Sequence, residues 1–277
     1  MQSCSAMQHL TIQNHQIPTL GLGTYSINGM ECTDAVSNAL DQGYRLIDTA
    51  QMYGNEAEVG AGIKASPTER EHVFLTTKVL TENFTKRNFI PSVEDSLRKL
   101  KLDYVDLLLL HWPDTDEANK LALDLLLECQ NKGYTRLVGV SNFTIRMLEY
   151  AEEHAPIICN QVEYHPYLSQ QKMLEYLGEH NMFLTAYRPL LKGAITTDKT
   201  LTQLAQKHSR TQGQIVLRWL MQQPNVAAIP KAASATHRAN NLNIFDFELS
   251  EDDMQTIFAL NKDQRFVTPS WSPDWDK

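Results

Sequence analysis

Four residues able to move a proton onto a carbonyl oxygen stand at or just past the ends of three apolar runs. Asp48 closes "RLID", Tyr53 follows in "TAQMYGNE", Lys78 lies near the end of "VFLTTKV", and His111 follows four leucines in "LLLLHWP". A free phenol has a pKa near ~10, so it donates poorly at neutral pH, and lowering it by about three units would stabilise the phenolate by about 4 kcal/mol. One ammonium about 4 Å away supplies that order of energy at an effective dielectric of about 20. Lys78 is the expected ammonium, with Asp48 keeping it charged and fixed. His111 is expected to hydrogen-bond the substrate oxygen. Together the four would protonate a carbonyl oxygen while another reagent attacks the carbon. Singly, each has a plainer reading as a helix cap, edge packing, a solvated amine or a core histidine. Their joint placement on neighbouring strands is what points to chemistry.

The elements that must position them alternate between short β-rich runs and helical stretches. "LGLGTY", "RLIDTA", "VFLTTKV", "YVDLLLLHW", "LVGVSNF", "IICNQVEY", "FLTAYRP" and "VAAIPKA" read as strands buried on both faces. Eight such runs, each followed by a helix, predict a single α/β domain over residues 1–277, a (β/α)8 TIM barrel whose chemistry collects at the C-terminal strand ends. A doubly wound sheet is the alternative. A short N-terminal β-hairpin precedes the barrel, with Asn14 and His15 expected at its turn. In "CTDAVSNALDQG", Thr33 is expected to cap a helix that Gly43 ends. "GLGTYS" nearly matches a dinucleotide-binding loop, but "TYSINGMEC" delays the helix too long for that turn, and Asp41 falls inside the helix.

The 277 residues are 42% hydrophobic and carry a net charge of −8, which argues against nucleic acid as the main partner. The four cysteines, Cys4, Cys32, Cys129 and Cys159, form no C-x-x-C pair, so a metal site is not expected and a reducing compartment is. "MQSCSAMQHL" lacks the features of a secretion signal and no run is long enough to span a membrane. A cytoplasmic monomer with a small-molecule partner is the expectation.

With those residues in view, the chain resembles the aldo-keto reductases along almost its whole length. "LGLGTY", "IDTAQMYGNEAEVG", "TTKV", "LLLLHWP", "VGVSNF", "NQVEYHPYLSQ", "AYRPL" and "IPKA" follow the family's order and spacing. The short length and the ending "SWSPDWDK" are most similar to compact bacterial members of 2,5-diketo-D-gluconate and methylglyoxal reductase type. The resemblance implies NADP(H) bound without a Rossmann fold, and a tetrad of Asp48, Tyr53, Lys78 and His111 with Tyr53 as the general acid. It implies cofactor contacts from Gly23, Thr24, Tyr25, Ser141, Asn142, Gln161, Tyr187, Arg188, Leu190, Lys231, Ser234, His237, Arg238 and Asn241. Arg188 stands where a small polar residue is usual. After Lys231, which matches the lysine that meets the 2′-phosphate, Ala232 replaces a hydroxyl and His237 replaces an arginine. Weakened discrimination against NAD(H) is therefore expected. Tyr25, Met52, Trp112, Trp271 and Trp275 are expected to line an open pocket for small aldehydes, α-dicarbonyls or keto-sugars. The alternative function is a non-catalytic NADP(H)-binding sensor or structural protein on the same barrel.

Overall fold

The computed structural model describes residues 8–276, so Cys4 and most of the N-terminal stretch read for a signal lie outside the described residues. Two short strands, β1 (His9–Ile12) and β2 (His15–Pro18), form an antiparallel hairpin. Its two turn residues are Gln13 and Asn14, at φ 47° and 66°. The sequence placed the turn one residue later, because asparagine tolerates the left-handed region and glutamine seldom enters it. A two-residue hairpin needs that conformation at both positions, and the pairing of Ile12 with His15 imposes it.

Eight parallel strands follow: β3 (Gly21–Gly23), β4 (Leu46–Asp48), β5 (Phe74–Val79), β6 (Val105–Leu110), β7 (Thr135–Ser141), β8 (Ile157–Glu163), β9 (Phe183–Tyr187) and β10 (Val226–Ala228). They neighbour one another in chain order. A parallel bridge between Leu20 and Ala228, with Ala228 N–H donating to Thr19 O at 2.8 Å, brings the last strand back to the first. The result is the expected (β/α)8 barrel.

Its helices are α1 (Gly29–Gln42), α2 (Glu56–Ala65), α3 (Phe89–Leu100), α4 (Asp116–Asn131), α5 (Ile145–His154), α6 (Gln171–Glu179), α7 (Lys199–His208), α8 (Gln212–Met221), α9 (Ala235–Leu242) and α10 (Glu251–Phe258). In α1, Ala35, Val36, Ala39 and Leu40 are buried as their spacing predicts, and Gly43 ends the helix at φ 108°. The start differs. The helix begins at Gly29, four residues before Thr33, whose hydroxyl instead donates to Glu58 O on α2 at 3.3 Å.

Two apolar layers hold the barrel. One lies between strands and helices and includes Leu22, Ile47, Leu75, Leu108, Val138 and Leu184. The other fills the interior, where Leu46, Phe74, Leu107, Leu137, Ile158 and Phe183 meet Ile12 and Ile17 of the hairpin. The hairpin thus closes the N-terminal end and leaves the C-terminal mouth for polar side chains. One β-bulge interrupts the β7–β8 pairing between Val138 and Val140. Gly139 sits in it, and a Cβ there would lie 2.7 Å from Cys159 O. That close approach sets the register in which Ser141 stands opposite Gln161. Among the described residues no helix is long and apolar enough to cross a membrane.

Candidate active site

The C-terminal ends of β4, β5 and β6 deliver Asp48, Lys78 and His111 to one opening, and the three-residue 3-10 turn Gln51–Tyr53 brings in Tyr53. Lys78 is fully buried. Its ammonium donates to Asp48 Oδ1 at 2.6 Å, Thr49 O at 2.9 Å and the Tyr53 hydroxyl at 3.2 Å. Three acceptors match its three N–H groups. The other Asp48 oxygen accepts from Gln161 Nε2 at 2.8 Å. Because Lys78 donates to it, the Tyr53 oxygen acts as acceptor in that bond, and its own proton is left to point elsewhere.

The electrostatics depart from the sequence expectation in one respect. Burial pushes the Tyr53 phenol well above its usual range, and the Asp48 carboxylate and Tyr25 add to that push. The net shift is upward because burial outweighs what the Lys78 ammonium can offer, and Asp48, 2.6 Å from that ammonium, offsets part of its charge. Burial also drives the partners towards neutrality, raising Asp48 and lowering Lys78, with each opposing the other's shift. Burial and the Lys78 charge together hold His111 well below the usual histidine range, so the ring is neutral at physiological pH. His111 Nδ1 is sealed from solvent without a hydrogen-bond partner. The His111 and Tyr53 rings meet edge to face with centroids 5.7 Å apart, and Tyr25 packs on the other side of Tyr53 at 5.1 Å.

Several supporting residues escaped the sequence reading. Gln51 donates to Ser92 O, Ser92 Oγ and Ser96 Oγ on α3, and accepts from Leu80 N and Asn83 Nδ2 after β5. The turn carrying Tyr53 is thereby tied to two neighbouring elements. Asn55 accepts from Thr49 Oγ1 and donates to Thr24 O and Ile27 O, which locks the β3 loop to the β4 loop. Buried Glu163 accepts from Phe266 N and Val267 N at 3.1 and 2.9 Å and pins the C-terminal tail to the end of β8. The available signal was polar residues inside quoted motifs ("AQMYGNE", "NQVEYHP"), but their partners lie far along the chain.

The residues assigned to a cofactor fall into two groups. At the mouth, Ser141 Oγ donates to Gln161 O, Asn142 Nδ2 donates to Ser141 Oγ and His111 O, and the Tyr187 hydroxyl donates to Asn142 Oδ1 at 2.8 Å. Gly23 and Thr24 lie beside them, with Thr24 donating twice to Asp48 O. Arg188, at φ 53°, reaches Phe266 O in the tail, and Leu190 packs against the strand–helix core. The second group follows β10. Lys231 and His237 are exposed, and Ser234 caps α9 by accepting from His237 N–H. Arg238 is different: it is buried and its guanidinium donates to Ala232 O, Ala233 O and Asn38 Oδ1. Those bonds explain its presence as a brace between α9 and α1, a role that the resemblance did not suggest. Asn241 is buried beside the Tyr44 hydroxyl.

Met52, Trp112 and Trp271 line a cavity of about 390 Å³. Its walls include Met52 and Trp112, the chain neighbours of Tyr53 and His111. Tyr25 stands against Tyr53, and Trp275 supports Trp112 from behind at 6.2 Å with the Arg265 guanidinium 3.7 Å over its ring.

Residues 19–262 match the Aldo/keto reductase family model. The chain is 42% identical over 253 residues to the glyoxal reductase of Bacillus subtilis, covering 90% of this chain and 91% of that protein. A crystal structure of a candidate 2,5-diketo-D-gluconic acid reductase B superposes with a TM-score of 0.96 at 41% identity, covering 100% of both chains. A Gox0644 variant solved in complex with NADPH superposes with a TM-score of 0.89 at 33% identity, over 95% of this chain and 97% of that one. With the family model matched over most of its length and these relatives covered over nine-tenths of theirs, the chain belongs to the aldo-keto reductase family of NAD(P)H-dependent oxidoreductases.

Proposed function

We propose that the protein reduces small aldehydes, α-dicarbonyls or keto-sugars to alcohols with NADPH, Tyr53 giving the proton. The observation that carries this is the Lys78 ammonium, which spends one of its three N–H groups on the Tyr53 oxygen. That bond leaves the phenol proton for a substrate oxygen and stabilises the phenolate left behind. At rest the phenol keeps its proton, because burial holds its pKa high. As charge develops on the substrate oxygen, a base stronger than phenolate forms, and transfer becomes downhill. Lys78 then acts on the phenolate, held charged by Asp48, itself held by Gln161.

His111 orients the carbonyl. In a neutral ring one nitrogen carries the proton, and a buried N–H without a partner costs more than an unmet lone pair. Placing the proton on Nε2 leaves buried Nδ1 as the lone pair and makes Nε2 the donor.

The residues present fit a nicotinamide dinucleotide. Ser141, Asn142 and Gln161 offer amide and hydroxyl groups at the mouth beside the Tyr187 ring, suited to a carboxamide. At the other end, exposed Lys231 commits one N–H to Ser26 O at 2.9 Å and keeps two for a phosphate, beside the first-turn N–H groups of α9. When bound, the nicotinamide supplies the hydride. The reading takes the protein to act as a monomer.

Arg238 is committed inside the protein and Ala232 lacks a hydroxyl, so two phosphate contacts are absent from this reading. NADPH is preferred over NADH through Lys231, by a kcat/KM ratio below about a thousandfold, roughly 4 kcal/mol. The test is oxidation of NADPH and of NADH with methylglyoxal, beside Tyr53→Phe. Turnover that collapses in the variant supports the reading. Binding of NADPH without turnover of any small carbonyl would turn it towards a non-catalytic binder.

A further inference from the structure

The cavity next to Met52 and Trp112 has a mixed lining. Apolar Trp112, Met147 and Trp271 share it with polar Thr81, Glu82 and Asp114. Among the described residues no lysine, arginine or histidine lines it. The Asp114 carboxylate accepts the Thr115 backbone N–H at 2.8 Å while its backbone oxygen accepts from Asn119 Nδ2 at 3.0 Å, and neither Asp114 nor Glu82 is ion-paired among the described residues. Arg265, the tail arginine, is turned over the Trp275 ring and does not reach the lining. Both acids are exposed.

Resting on the reductase reading, we infer that this cavity selects uncharged carbonyl substrates and rejects those bearing a carboxylate away from the reacting carbon. With its carbonyl at Tyr53 and His111, a substrate would extend its skeleton past Met52 and Trp112 into this cavity. An uncharged skeleton packs on the tryptophans and offers hydroxyl or amide groups to the two carboxylates. A substrate carboxylate there meets two like charges and no cation, and it loses hydration without a partner. Neutral dicarbonyls and keto-sugars therefore belong to the substrate class, and sugar keto-acids do not. The family fold does not set this choice. It comes from Glu82 on the loop after β5 and Asp114 on the loop after β6, and loops vary where a barrel does not.

An isosteric pair tests it. The values of kcat/KM for 4-carboxybenzaldehyde and its neutral amide, 4-carbamoylbenzaldehyde, are compared at low ionic strength, with methylglyoxal as the check on reductase activity. The expected result is at least about a tenfold preference for the amide, about 1.4 kcal/mol, that shrinks in about 0.5 M salt through screening. In the double variant Glu82→Gln/Asp114→Asn the ratio of amide to acid falls to within about twofold. Equal rates, a preference for the acid, or a gap that survives in the double variant overturns the inference. So does failure to reduce either benzaldehyde by protein that reduces methylglyoxal, because the cavity would then not be where the skeleton goes. Silence with all three compounds, in protein that binds NADPH, counts against the reductase reading instead.

Discussion

Asp48 and Asp253 are both buried carboxylates ion-paired to a lysine, at 2.6 and 2.7 Å, yet their pKa values shift in opposite directions. At the barrel mouth both partners are sealed, with the Lys78 side chain 0% exposed. There burial pushes Asp48 up and Lys78 down, so each ion is costly to keep charged. On the outer seam, Asp253 of α10 meets Lys207 and His208 at the end of α7, and the Lys207 side chain is 56% exposed. Burial pushes Asp253 up as well, but Lys207, His208 and Ser250 outweigh it and hold the carboxyl at about 2. A lysine that keeps its water lets the pair stabilise the fold, and a lysine stripped of water makes the pair an expense. The fold retains the expensive pair where Tyr53 needs an ammonium.

The largest effect expected from this contrast is on chemistry alone. Tyr53→Phe removes the proton donor and one acceptor of Lys78, and kcat should fall by at least about a hundredfold and up to ten-thousandfold. NADPH affinity, read by fluorescence titration, should change little, since the proposed cofactor contacts lie elsewhere. A variant that kept near-native kcat would detach the mouth pair from catalysis and leave its cost unexplained.

Next comes the cost itself. Lys78→Met leaves Asp48 buried with Gln161 as its remaining side-chain partner, and should destabilise the protein by about 3–5 kcal/mol. The double variant Asp48→Leu/Lys78→Met should recover most of that loss, because two apolar side chains replace two desolvated ions. Activity should be lost in both. Urea denaturation of the three proteins reads the difference, and a double variant no more stable than the single one would show that the mouth pair stabilises the fold after all.

The same contrast marks what a sequence makes legible. Eight strands could be read from Val, Ile, Leu and Thr runs because a barrel strand is buried on both faces and has little choice of composition. Asp48, Lys78 and His111 could be read because strand ends aim side chains at one face. The direction of the Tyr53 shift could not. It depends on how far packing strips water from a phenol that is still half-buried and on the 2.6 Å closeness of Asp48 to Lys78, both properties of packing across three strands. Gln51, Asn55 and Glu163 were invisible as supports for the same reason: Gln161 reaches Asp48 across 113 residues and Glu163 reaches Phe266 across 103. Thr33 failed as a cap because Gly29 starts α1 earlier without a side-chain cap. The Asp253 cluster spans two helices separated by some 45 residues and gave no local pattern either.

The smallest expected effect lies on the seam, and pH separates it from the mouth. The folded-state pKa of Asp253 is depressed from its ordinary 3.8 to about 2. A depressed carboxylate contributes stability that is fully present above the unfolded pKa and is lost as pH falls through the folded one. Its contribution is about 1–2 kcal/mol, with the shift discounted for the solvent around Lys207. Asp253→Asn should therefore cost that amount at pH 7 in urea denaturation, about half as much at pH 3, and almost nothing near pH 2. Turnover at pH 7 and 25 °C should be unaffected, because α7 and α10 hold none of the mouth residues. A cost that stayed constant down to pH 3 would mean that the side-chain hydrogen bonds to Asp253 stabilise the seam without its charge. The contrast between the two acids would then reduce to the one buried pair at the barrel mouth.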